Sequence, residues 1–175
     1  MDLSHIKIET DRLMLVPLSM EYEKIIFREF QEPVTKFMDP KAPQKIEETE
    51  EFIRTTLENM QKGKELVLVI LDKQSGEFLG EAGLHQLDKK ILEMGIWIKQ
   101  SAHGQKYGRE AMQALKLWAD KHTKYEFIRY PVAAENISSR KIAEALGGKI
   151  VKEYRKTTQS GRTYDYVEYR ILKVV

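Results

Sequence analysis

Residues 91–111, ILEMGIWIKQSAHGQKYGREA, constrain the fold more than any other stretch of this chain. They read as a β-rich strand over 91–98, then a turn holding Gly104 and Gly108. A helix follows whose Ala111, Ala114, Leu115 and Trp118 share one face. A second strand, 127–133, comes next. A strand, a helix and a strand in that order predict a parallel pair joined by a right-handed crossover. The turn also carries chemistry. Unpaired N–H groups at a helix start attract anions, and glycine lets the backbone approach them closely. Lys106 and Arg109 add positive charge there. Neither the P-loop pattern nor the dinucleotide fingerprint occurs.

Around this unit the apolar spacing orders the rest of the chain. Residues 12–17 form a short strand. Ser19 is an N-cap candidate for a helix bearing Ile25, Ile26 and Phe30. Pro33, Pro40 and Pro43 mark a loop. A second helix begins near Gln44, with Ile46, Ile53, Leu57 and Met60 on one face. Strands 66–71, 78–85 and 91–98 are joined by short turns and predict an antiparallel meander. Asn136 or Ser138 caps a fourth helix that ends at Gly147-Gly148. Strands 150–156 and 164–172 close the chain as a hairpin across Ser160-Gly161. The order β-α-α-β-β-β-α-β-α-β-β predicts an α/β (α+β) fold. Its mixed, mostly antiparallel sheet has six to seven strands and about four flanking helices.

Composition narrows the class. At 175 residues a single domain over 1–175 is expected. Cysteine is absent, which excludes a thiolate metal site, an iron–sulfur cluster and a cysteine nucleophile. The four histidines, His5, His85, His103 and His122, show no metal-ligand spacing, so no metal is expected. A net charge of +2 with no aromatic–basic motif predicts no nucleic-acid partner. No apolar run reaches the roughly 20 residues of a membrane span, and no leader pattern opens the chain. The expectation is a cytoplasmic protein that is a monomer or homodimer, with no membrane partner.

The glycine turn resembles the acetyl-coenzyme A motif of the GCN5-related N-acetyltransferases, Gln/Arg-x-x-Gly-x-Gly/Ala between a strand and a helix. The matching register is His103-Gly104-Gln105-Lys106-Tyr107-Gly108, continuing into Arg109-Glu110-Ala111. His103 stands where the family carries Arg or Gln. Lys106 replaces the central Gly, placing a Cβ where backbone usually faces pyrophosphate. Three further stretches are similar to the RimJ/RimL branch: the opening around Thr10-Asp11-Arg12-Leu13, the strand Glu93-Met94-Gly95-Ile96-Trp97-Ile98, and the helix start Asn136-Ile137-Ser138-Ser139-Arg140. The last strand, from Tyr164 to Tyr169, resembles that branch as well.

This resemblance implies an N-acetyltransferase that moves an acetyl group from acetyl-CoA to a primary amine. The acceptor would be a ribosomal-protein N-terminus or a small molecule. It implies two central parallel strands, 91–98 and 127–133, that splay to admit the pantetheine arm. Pro131, mid-strand and without an N–H, suits such a splay. CoA would lie against Ile96, Trp97 and Ile98, against the turn residues His103, Gly104, Gln105, Lys106, Tyr107, Gly108 and Arg109, and against Asn136. Glu93 is the general-base candidate, provided burial raises its pKa, and Glu81 the second. Ser139 is expected to hydrogen-bond the leaving thiolate. Seven residues after Asn136, where many members carry a tyrosine acid, this chain has Ala143. With no cysteine to hold the acetyl group, direct attack by the amine on the bound thioester is favoured. A non-catalytic acyl-CoA-binding or sensing module is the alternative. Specificity is expected from residues 19–62 and 155–164, with Tyr164 and Asp165 at the acceptor pocket.

Overall fold

The computed structural model describes residues 2–174. Twelve regular elements follow in order: β1 (Ile8–Glu9), β2 (Leu13–Pro17), α1 (Glu23–Glu29), α2 (Ile46–Gln61), β3 (Leu66–Asp72), β4 (Phe78–His85), β5 (Ile91–Ile98), α3 (Tyr107–His122), β6 (Phe127–Ala133), α4 (Ile137–Ala145), β7 (Lys149–Thr157) and β8 (Thr163–Leu172). They form one eight-stranded sheet in the order β1-β2-β3-β4-β5-β6-β8-β7. Every neighbouring pair is antiparallel except β5 and β6. The eighth strand is β1, only two residues long. It pairs Ile8 with Leu15 and carries too little apolar pattern to be read as a strand.

Helices cover both faces, so a central strand is apolar on both sides. In β3 the run Leu66–Ile70 is wholly buried, with no in–out alternation. On one face the α3 residue Gly108 packs toward Ile96 and Ile98 of β5 and toward Ile142 of α4. Strand alternation then turns Trp97 to the other face, where its ring lies 5.0 Å from that of Phe30, just beyond α1.

Two helix ends follow local chemistry. Asn136 caps α4 by accepting from the Ser139 N–H at 3.2 Å. Gly147 closes it with a left-handed φ of +81°, and the Gly148 N–H reaches back to Ala143 O at 2.9 Å. Ser19 behaves differently from expectation. Its backbone carbonyl, not its hydroxyl, accepts from Tyr22 N–H, which winds Met20–Tyr22 as a 3-10 turn ahead of a short α1. The Ser19 hydroxyl oxygen is buried without a partner among the described residues. The second helix starts at Ile46, two residues after Gln44.

The parallel pair positions the site. β5 and β6 are in register only at Ile91–Phe127, Leu92–Ile128 and Glu93–Arg129. Beyond that they part. Meanwhile β6 stays paired to β8 through Pro131–Glu168 and on to Ala133–Tyr166. Pro131 therefore lies past the last β5 pairing, where its missing N–H costs no bond to β5.

Candidate active site

The parting strands open a cavity of about 1080 Å³ that reaches both faces of the sheet. On the α3–α4 face it is lined by Ile96 and Ile98, by the turn before α3, and by Tyr130, Val132, Asn136, Ser139 and Ile142. On the opposite face it meets His85, Glu93, Pro131, Tyr166, Lys156 and the loop around Pro33–Pro40.

The turn before α3 is built for an anion. Gly104 has φ +81°, and the space where its Cβ would stand is open. Lys106 takes φ +63°, ψ +16°, the left-handed region that favours glycine. This chain thus keeps the backbone path a glycine would give at the residue where its side chain differs. A left-handed non-glycine residue costs roughly 1–2 kcal/mol. No side chain caps the first N–H groups of α3, so they remain available to a ligand. His103 does not point its imidazole donor at that ligand: its Nε2–H donates to Ile98 O at 2.7 Å and ties the turn to the end of β5. Of the residues expected against CoA, Gln105 alone lies outside the cavity lining. Its carbonyl accepts from Arg12 Nη1 at 3.1 Å.

A strut from the start of β2 fixes this turn. Glu110, in the first turn of α3, accepts from Thr10 Oγ1 at 2.6 Å, from Arg12 N–H at 3.0 Å and from Arg12 Nε at 2.7 Å. Burial opposes ionisation of Glu110, yet these bonds outweigh it and hold its pKa below the ordinary carboxylate value. The Arg12 guanidinium also covers the Tyr107 ring at 4.7 Å. The Thr10–Leu13 stretch and the glycine turn are therefore one structural unit.

At the middle of the cavity the Ser139 hydroxyl lies 2.8 Å from the Tyr130 hydroxyl. Burial pushes the Tyr130 pKa up to about 12, against a lowering by the Ser139 bond, so the phenol stays protonated at neutral pH. Sequence reading missed Tyr130. Its alternation on β6 could have shown which face it takes, but nothing local links it to a serine on the next helix. Asn136 uses Oδ1 as the α4 cap, which leaves its amide N–H₂ as the group able to serve a ligand.

Glu93 sits on the opposite face. Its Oε2 accepts from Arg129 Nη2 at 2.6 Å, and its side chain keeps 29% of its exposure. The Arg129 Nε lies 3.8 Å from a second carboxylate, Glu168. Glu81 is fully buried away from the cavity lining and accepts from Trp97 Nε1 at 2.8 Å. The acceptor-side mouth is tied together by long-range contacts. Tyr164 donates to Lys36 O at 2.7 Å, Gln159 N–H to Asp39 O at 3.1 Å, and Lys156 pairs with Asp39 at 3.1 Å. Tyr164 thus braces the rim, Asp165 pairs with Arg155 in solvent, and Tyr166 is the aromatic that lines the cavity.

No group of three or more His, Asp or Glu side chains among the described residues could hold a metal. No helix among them is long and apolar enough to cross a membrane.

Solved structures share this architecture. A GCN5-related N-acetyltransferase from Brucella melitensis superposes with a TM-score of 0.80 at 19% identity, covering 99% of this chain and 81% of that one. RimL, a ribosomal L7/L12 alpha-N-protein acetyltransferase solved with coenzyme A, gives 0.86 at 16% identity over 95% of this chain and 98% of its own. An acetyl transferase from Salmonella typhimurium, described as modifying the N-terminal serine of L7/L12, gives 0.83 at 16% identity over 95% and 99%. At these identities the likeness establishes the fold. The family follows from the sequence itself: residues 12–149 match the profile described as the acetyltransferase (GNAT) domain. With its parted parallel strands and its anion-ready helix start, the chain belongs to the GNAT family of acetyltransferases.

Proposed function

We propose that this chain is an N-acetyltransferase that moves an acetyl group from acetyl-CoA to a primary amine by direct attack. One observation carries the reading: the β5–β6 parting joins the α3 N-terminus on one face of the sheet to a mouth of mixed charge and aromatic rings on the other. A two-sided cavity lets a thioester and an amine meet from opposite directions, which a module that only binds CoA does not need. The Tyr107, Gly108 and Arg109 N–H groups and the Lys106 and Arg109 side chains would hold the pyrophosphate. Ile96, Trp97 and Ile98 offer a free β5 edge to the pantetheine arm, and the Asn136 amide a donor to its carbonyls. Ser139, with Tyr130 donating to it, would hand a hydrogen bond to the departing sulfur. Glu93, held by Arg129, is the carboxylate of this mouth that would meet an ammonium.

The acceptor class we favour is the N-terminal amine of a protein, as for the RimL-type acetyltransferases of similar fold, with a small-molecule amine second. A cytoplasmic setting is part of this proposal. The test is release of free thiol from acetyl-CoA with peptides bearing N-terminal Ser or Ala, with spermidine and with kanamycin. CoA binding without thiol release from any of them leaves only the acyl-CoA sensing alternative.

Two variants probe the parts. Ser139→Ala should lower kcat on the order of 10²-fold with little change in CoA affinity, and Tyr130→Phe should lower it less. Unchanged turnover in Ser139→Ala removes its role. Lys106→Gly should remove the left-handed strain, so its melting temperature should hold or rise by a few degrees. It should also weaken CoA binding several-fold at low salt and less at high salt. Salt-independent affinity in both proteins would show that the lysine charge does not meet the phosphates.

A further inference from the structure

A second ionisable constellation faces the cavity on the acceptor side. His85 ends β4, directly across from Glu93 on β5. Its Nδ1 lies 2.8 Å from Glu65 Oε2, just ahead of β3. Glu65 is itself fixed from the other side, where Asn59 of α2 donates to Oε1 at 2.9 Å. Burial opposes ionisation of Glu65, but the His85 and Asn59 bonds prevail and hold its pKa below the ordinary value. An ionised carboxylate only accepts, so Nδ1 is the donor, and in the neutral ring Nε2 presents the lone pair.

The ring lies over the sheet, and the side chain keeps 38% of its exposure. Nε2 would stand 2.7 Å from a Cβ at Gly83 and 4.0 Å from one at Gly95. These two glycines face each other across β4 and β5, so together they form a side-chain-free floor for the imidazole. Gly95 and His85 both line the cavity, and Gly95 lies two residues past the last β5–β6 pairing. Nε2 has no partner among the described residues. Glu93 differs, because the oxygen it turns to Arg129 is already engaged.

We propose that His85 Nε2 is the base that deprotonates the acceptor ammonium, with Glu65 as the residue that positions it, above a floor that carries no side chain at Gly83 and Gly95. This rests on the N-acetyltransferase reading above. His85 takes one proton from R–NH₃⁺. The freed nitrogen lone pair attacks the thioester carbonyl, a C–N bond forms and the C–S bond breaks. The second nitrogen proton passes to the departing thiolate, giving free thiol, and His85 returns its proton to solvent. The arrangement has the form of an oriented imidazole base, with a carboxylate fixing the tautomer.

The experiment compares wild type, His85→Gln, His85→Ala, Glu65→Gln and Glu93→Gln by thiol release, using whichever probe amine the panel above turns over. His85→Gln should lose on the order of 10²-fold in kcat with unchanged CoA-induced thermal shift, and added imidazole should restore part of the activity of His85→Ala. Glu65→Gln should lower kcat about tenfold. It should also change the ring ¹⁵N pattern of His85, which in the wild type should show Nδ1 protonated and Nε2 unprotonated. Glu93→Gln should raise the amine KM and spare kcat. Wild-type-like kcat in His85→Gln, or loss of kcat in Glu93→Gln in its place, overturns the proposal. So does an Nε2-protonated ring in the wild-type spectrum, a readout that needs no variant to fold. A wild type that binds CoA but releases no thiol with any amine overturns the acetyltransferase reading as well. Failure of His85 alone leaves that reading standing.

Discussion

Gly80→Ala should be the most damaging single methyl group that can be added to this chain. A Cβ there would stand 2.1 Å from Trp97 O, 2.9 Å from Ile98 Cα and 3.0 Å from Trp97 C, all backbone atoms that no rotamer change can move. The residue also has φ +156°, a conformation that L side chains rarely adopt. It sits where the β3–β4 register shifts, beside the extra β4 residue Leu79. Relief would require β5 to withdraw along Trp97–Ile98, the segment that leads into the CoA turn. The expected loss is about 4 kcal/mol or more, in the range reserved for forced backbone clashes, with CoA affinity falling in parallel. Urea unfolding of Gly80→Ala measures it, with Gly76→Ala as the control. Gly76 also has positive φ (+73°), but its Cβ would meet nothing within 4 Å. It should cost only the conformational strain, about 1 kcal/mol. Equal losses for the two would show that the close approach at Gly80 does not govern stability.

Glu81→Gln should do the reverse and stabilise the protein at neutral and alkaline pH. Burial pushes the Glu81 pKa up to about 7, with the Trp97 hydrogen bond opposing it, and its Oε1 has no partner among the described residues. The folded state therefore holds this proton to higher pH than the unfolded chain does. Between the ordinary value of 4.5 and about 7 the native state binds more protons, so stability falls as pH rises through that window. The full cost at pH 8 is about 3 kcal/mol. Glutamine keeps a carbonyl for Trp97 Nε1 and has no charge to bury. Its advantage should be near zero at pH 4 and grow through pH 7. At pH 8 the melting temperature should rise by roughly 6–10 °C. Melting curves of the two proteins across pH 4–8.5 give the answer, and a pH-independent gap between them would contradict the buried-carboxylate account.

These residues also mark where reading the sequence stopped. Glu81 and Glu93 look alike in the sequence: each is a glutamate in a strand of the meander. Register makes them opposites. Glu81 faces Trp97 beneath α1 and is dry, whereas Glu93 meets Arg129 at the edge of the parting strands. Tyr130 and Ser139 are nine residues apart on different elements and become partners only because α4 folds back over β6. Tyr164 and Tyr166 come two apart on one strand, yet one braces the 33–37 loop from outside while the other enters the cavity. The glycine turn was legible by contrast, and even its Lys106 departure was visible, although that lysine takes the glycine's left-handed backbone.

What the sequence determined by itself is what short-range physics dictates. The element order follows from apolar periodicity, the Asn136 cap and the Gly147 stop from local hydrogen bonding, and the glycine turn that opens α3 from two glycines between a strand and a helix. Pro131, with no N–H to give, suits the parted stretch beyond Glu93–Arg129. Only the tertiary structure decided the pairings that no short connection or crossover fixes, β2 beside β3 and β8 between β6 and β7. It also decided which oxygen meets which nitrogen in Glu65–His85, Glu93–Arg129 and Tyr130–Ser139. The reason is that a side chain's proton affinity and reach are set by burial and by neighbours within a few ångströms, and those neighbours come from elsewhere in the chain.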